Sequence, residues 1–140
     1  MGRGSAVMVR FDSATRGRIE MREAQSADPN SCQSLPATSC ANTQWDAAST
    51  QNRLIATFDP TDLNVYANVL LKFFKSDGAD AGNAVDICFT PAGRPYRRLA
   101  HSGNFTVMNE VPYIEVSPVD GEGRTRTVLI VPTGASRLTL

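Results

Sequence analysis

The sequence predicts a mainly β protein, a single domain over residues 1–140 built as two packed antiparallel sheets. Three observations carry this. Short runs alternate apolar and polar residues with the period of two that a half-buried strand requires. Gly, Pro, Asn, Asp and Ser cluster between those runs, where chain reversals need them. Nothing reads as a long helix, and a chain of 140 residues has the usual length of one domain.

The elements follow in order. SAVMVRF, residues 5–11, alternates small or polar with apolar side chains. In GRIEMREA, residues 17–24, Ile19 and Met21 lie on one face and Arg18, Glu20 and Arg22 on the other. The polar link DSATRG joins the two runs into a predicted hairpin with one wet face. Residues 26–49 have loop composition, and Trp45 near their end is expected to pin that loop onto the core. NRLIATFD, residues 52–59, resumes a strand pattern. Residues 60–74 are ambiguous: Val65, Val69 and Phe73 recur at helical spacing, but the β-branched and aromatic content favours a strand, which is the reading adopted.

Residues 75–86 form a polar loop, and VDICFTP, residues 85–91, is a strand. Further strands are expected over 103–108, 113–119 and 125–132, with SRLTL closing the chain. Two stretches repeat one design. Pro91-Ala92-Gly93 and Pro132-Thr133-Gly134 each follow an apolar strand. Pro pre-sets the φ of the second turn position, and Gly tolerates positive φ just after it, so each is predicted to be the corner of a hairpin.

Lys and Arg together number 14, as do Asp and Glu, so no net field draws the chain to nucleic acid or anionic lipid. Only Lys72 and Lys75 are lysines; every other cation is Arg. No run approaches the ~20 apolar residues of a membrane span. VYANVLLKFF is too short and holds Asn68 and Lys72. The three cysteines are Cys32, Cys40 and Cys88. CQSLPATSC closes a short loop around Pro36, so a Cys32–Cys40 disulfide is expected, the alternative being two reduced loop thiols; the bridge implies an oxidising compartment. Cys88, in an apolar strand, is expected to be a small buried hydrophobe.

Catalytic chemistry has little to stand on. His101 is the one histidine and adjoins Ser102, but neighbours in sequence do not make a relay, and no nucleophile elbow, Walker loop or zinc-protease motif occurs. No catalytic, cofactor-binding or metal residue is assigned, and no enzyme is expected. Asp77, Asp80, Asn83 and Asp86 offer hard oxygens to calcium, but without an EF-hand pattern, and a solvated loop is the expectation.

The strand ICFTPAGR at residues 87–94, and RTVLIVPTGASRL at residues 126–138, resemble the GspH/FimT family of type IV pilin-like proteins. These are minor pseudopilins of type II secretion and related minor pilins. GRGSAVMVRF, residues 2–11, looks like the segment where the family's long N-terminal helix hands over to the first strand, and Trp45 before the strand ending in Phe58-Asp59 is similar to a feature of the same domain.

The resemblance implies a prepilin leader and a membrane-spanning helix upstream of these residues. It also implies a β-rich head anchored to the bacterial inner membrane and facing the periplasm or extracellular space. The partners implied are other pilin or pseudopilin subunits and the membrane, with no cofactor and no small-molecule substrate. Work would be done by subunit packing in a fibre or its tip, with an exposed strand edge joining a neighbour's sheet and Leu35 and Pro36 docking on a partner head. The alternative is a DNA-capturing minor pilin. FimT-like pilins are expected to hold DNA through a basic G-R-x-R turn. Here that turn reads Gly134-Ala135-Ser136-Arg137, lacking the first arginine, while Gly123-Arg124-Thr125-Arg126 has the letters one strand earlier, beside Glu122. Arg124, Arg126 and Arg137 are therefore the candidate phosphate contacts.

Overall fold

A computed structural model describes residues 4–15, 17–25, 39–59, 69–132 and 136–139. The fold is mainly β and consists of two antiparallel sheets. β1 (Val7–Asp12) and β2 (Arg18–Ala24) form the first hairpin, closed by a 3₁₀ turn at Ser13–Thr15. β3 (Asn52–Phe58) pairs with β2. The chain then leaves this sheet for β4 (Val69–Phe74) and returns with β5 (Ala84–Phe89), which pairs with the far side of β1. β6 (Pro95–Leu99) and the short β7 (Thr106–Val107) complete a six-stranded sheet of order β3-β2-β1-β5-β6-β7. β8 (Tyr113–Pro118), β9 (Arg126–Ile130) and β10 (Ser136–Thr139) join β4 in the order β10-β9-β8-β4.

Period-two alternation gives the large sheet two different faces. Phe11, Val85 and Ile87 point to the small sheet, where they pack with Leu71 and Phe73 of β4, Ile114 and Val116 of β8, and Ile130 of β9. The rings of Phe11 and Phe73 lie 5.5 Å apart and tie β1 to β4 across the layers. Gly17, with φ +98°, presses its Cα against Leu71, and a Cβ there would overlap that side chain. The bend between β1 and β2 therefore needs glycine both for its conformation and for the close approach of β4.

The opposite face of the large sheet carries Ala6, Met8, Ala24 and Cys88, and the segment around Trp45 covers them. Trp45 is 2% exposed and donates its indole N–H to the Cys40 carbonyl at 2.9 Å, so it pins the loop as its position implied.

The first Pro-x-Gly corner forms as expected. Gly93 N–H donates to the Thr90 carbonyl at 2.8 Å, Gly93 takes φ +76°, and β5 continues into β6. Across the second corner β9 pairs with β10, while residues 133–135 lie outside the described residues. The strand expected over 60–74 is realised at Val69–Phe74, and residues 60–68 lie outside the described residues. β6 is the second strand of the hairpin expected at this corner, although two of its residues are basic. It can be one because Arg97 and Arg98 find carboxylate partners in Glu110 and Asp86.

Two cysteine expectations are corrected. Cys40 is bonded to Cys88, with Cα atoms 5.9 Å apart, so Cys40 has no valence left for Cys32. Cys32 and the docking candidates Leu35 and Pro36 lie outside the described residues. Cys88 is buried, but as half of a disulfide that staples the Trp45 segment to β5. Proximity in sequence favoured the short loop; the sheet's outward-facing alternation instead points Cys88 at the covering segment. Peptide mapping of the unreduced protein is expected to recover the Cys40 and Cys88 peptides as one linked species. Reduction, or Cys88→Ser, is expected to lower unfolding free energy by about 2–4 kcal/mol in urea titrations; a linked Cys32–Cys40 peptide would overturn the pairing.

Candidate functional site

Two features stand out from the strand registers. The first is a row of alternating charge on the covered face of the large sheet. Cross-strand neighbours in one row are Glu20 on β2, Arg10 on β1, Asp86 on β5 and Arg98 on β6. Asp86 is fully buried. Arg10 donates to both its oxygens, from Nε at 2.9 Å and Nη2 at 3.0 Å, and Arg98 Nε donates at 2.7 Å. His101 Nδ1 lies 2.8 Å from Oδ1. The Arg98 guanidinium also sits 4.6 Å from the centre of the Phe105 ring.

Burial by itself pushes the Asp86 carboxyl up, because charge is costly away from water. The hydrogen bond and charge of Arg10, the hydrogen bond of Arg98 and the charge of His101 outweigh it and hold Asp86 below its usual range. The Arg10 guanidinium is raised in turn, first by its bond to Asp86.

This arrangement is structural in its chemistry. Every polar edge of Asp86 faces a protein donor, which leaves no lone pair directed at a substrate. It also settles Asp86 as a candidate calcium ligand: its oxygens are consumed inside the sheet. Asp77 and Asp80 cap their own turns, accepting from Ala79 and Gly82 N–H at 2.9 and 2.8 Å. No group of His, Cys, Asp and Glu among the described residues has the arrangement of a metal site. His101, at φ +54° in a turn with Ala100 at φ +59°, is held against Asp86.

The second feature is a groove between the sheets. One wall is Val7, Val9 and Phe11 of β1 with Ile19 and Met21 of β2; the floor includes Ile87 and Phe89 of β5; the other wall is Ile114, Val128 and Ile130. Every side chain that lines it is apolar, around a cavity of 390 Å³. The small sheet covers only part of the large one, so the alternating side chains along β1 and β2 continue past it. Met21 is 39% exposed there. No single strand in the sequence announced this groove, since each merely alternates; it exists because two sheets of unequal width are stacked.

The candidate phosphate contacts fall on two neighbouring strands and the turn before one of them. Arg124 and Arg126 are exposed at the approach to and start of β9. Arg137 pairs across from Leu129, three residues further along that strand, a spacing of roughly 10 Å. Of the three arginines that follow the first Pro-x-Gly corner, Arg97 and Arg98 are committed to Glu110 and Asp86, and Arg94 alone is exposed. Among the described residues no helix is long and apolar enough to cross a membrane. Comparison of the chain with protein-family models, with curated proteins and with solved structures gives no match.

The sign of the Asp86 linkage is definite. Its folded pKa is depressed, so its stabilisation is fully present above the unfolded value, near pH 4, and is lost as pH falls through the folded value. Asp86→Ala is expected to cost about 3–5 kcal/mol at pH 7, because it leaves the part-buried guanidiniums of Arg10 and Arg98 without their buried partner. Asp86→Asn is expected to flatten the acid limb of melting temperature against pH below about pH 4. An unchanged acid limb would show that other carboxylates control it.

Proposed function

We propose that this chain is the globular head of a type IV pilin-like protein of the GspH/FimT kind, a minor pseudopilin or minor pilin subunit that works by packing and not by catalysis. The apolar groove between the sheets carries this proposal. A continuous apolar channel facing water is unfavourable by about 25 cal/mol per Å² and marks a surface meant to be covered. An amphipathic helix laid along the groove with its apolar face inward would cover that surface. In a pilin-like protein that helix would come from upstream of β1, whose first residues form the groove wall. The Cys40–Cys88 disulfide supports placement of the head in an oxidising compartment, periplasmic or extracellular.

Fractionation of cells that express the whole gene tests this. The product is expected with membranes and in sheared surface fibres, cross-linked to other subunits. Recovery solely as an uncross-linked soluble monomer would overturn the proposal. Met21→Asp in the groove wall is expected to change the isolated domain's stability by no more than about 0.5 kcal/mol, as for other surface positions, yet to abolish fibre incorporation.

A second reading, DNA capture, is favoured by one observation. Arg124 and Arg126 are exposed and take part in no salt bridge among the described residues. The subunit reading expects no gel retardation of duplex DNA at physiological salt. DNA capture expects retardation that weakens steeply with salt and falls on Arg124→Ala plus Arg126→Ala.

A further inference from the structure

We infer that Met21 is a site of oxidation by peroxide, and that its sulfoxide turns the groove between the sheets from a surface that an apolar partner can cover into one that stays hydrated. Met8, Met21 and Met108 are the methionines among the described residues. Met8 is fully buried and Met108 is 2% exposed, whereas Met21 is 39% exposed. An oxidant therefore meets the Met21 thioether directly and reaches the other two only when the chain opens. Cys40 and Cys88 are joined to each other, so neither offers a thiol that would compete.

Position gives that exposure a consequence. β2 sets Met21 opposite Val9 on one side and Ala56 on the other, and its side chain forms part of the groove wall with Val9, Phe11 and Ile19. In the reaction one peroxide oxygen bonds to Sδ as the O–O bond breaks. The thioether gives up two electrons, and the second oxygen leaves as water. The product carries a polar S=O where an apolar, polarisable sulfur stood.

Every side chain that lines the groove is apolar, so none of them can donate a hydrogen bond to that oxygen. Covering the oxidised wall would strand a buried acceptor without a partner, so the wall keeps its water. The sulfoxide forms only while the groove is open, and oxidation thus acts on an uncovered head. That the excluded partner is an amphipathic helix rests on the pilin-head reading, whereas the oxidation and its effect on the groove are properties of this chain alone.

Hydrogen peroxide treatment of the disulfide-bonded chain in a Cys32→Ser background tests this. The readouts are peptide mapping and the fluorescence of an anilinonaphthalenesulfonate dye, which binds exposed apolar surface. The Met21 peptide is expected to gain one oxygen at least about tenfold faster than the Met8 and Met108 peptides. Dye fluorescence is expected to fall about threefold in step with it. Met21→Leu is expected to keep its dye signal through the same treatment, and Met21→Gln to start at the low signal without peroxide. Equal oxidation of the three methionines, a dye signal indifferent to Met21 oxidation, an equal loss in Met21→Leu, or a Met21→Gln signal as high as that of the unsubstituted chain would each overturn the inference. None of these outcomes depends on fibre assembly, so a head that fails to enter fibres would sink the pilin reading and leave the Met21 result standing.

Discussion

The burial of one carboxylate governs the large sheet. Asp86 sits at full burial on the strand that the chain inserts beside β1 after a long excursion through β3 and β4. A lone charge there would be prohibitive; in the observed register it has Arg10 on one side and Arg98 on the other. Sliding β5 by one residue would turn Asp86 into the inter-sheet core and Ile87 toward the covering loop. The pairing of β1 with β5 is thus specified by charge on one face and by apolar packing on the other. The remaining strands attach to that pair: β2 and β3 outward from β1, β6 and β7 outward from β5.

The same alternation divides labour between the two faces. On one, Cys88 and Met8 lie next to the polar row and are sealed by a segment with little regular structure, held by Trp45 and a disulfide. Covalent attachment suits a cover that has few ladder hydrogen bonds of its own. On the other face, cover comes from a second sheet, and sheet-on-sheet packing is continuous only where both sheets reach. The groove is the remainder, and the pilin-head proposal treats that remainder as the binding surface of a helix.

Much of the architecture was legible because strands are coded locally. Alternation placed β1, β2, β3, β8 and β9 within a residue or two, and Pro91 and Gly93 marked a hairpin corner through the φ values those residues prefer. β6 was less legible. Its Arg97 and Arg98 resemble a solvated run until Glu110 and Asp86 are placed against them. The Cys40–Cys88 pair was missed for a related reason: loop length favours near neighbours, whereas 48 residues separate this pair and only the fold closes them. Asp86 appeared as one of several loop carboxylates, since sequence spacing does not reveal which of them a sheet will bury.

By itself, then, the sequence determined the class of the protein, the strand positions and the hairpin corners, because these depend on the conformational preferences and polarity of residues close together in the chain. Tertiary structure alone decided which cysteine meets which, why a buried aspartate is tolerable, and where an apolar groove remains. Those depend on which distant strands become neighbours and how far each sheet extends. Two such contacts, Arg10 with Asp86 and Cys40 with Cys88, join residues that no local pattern links.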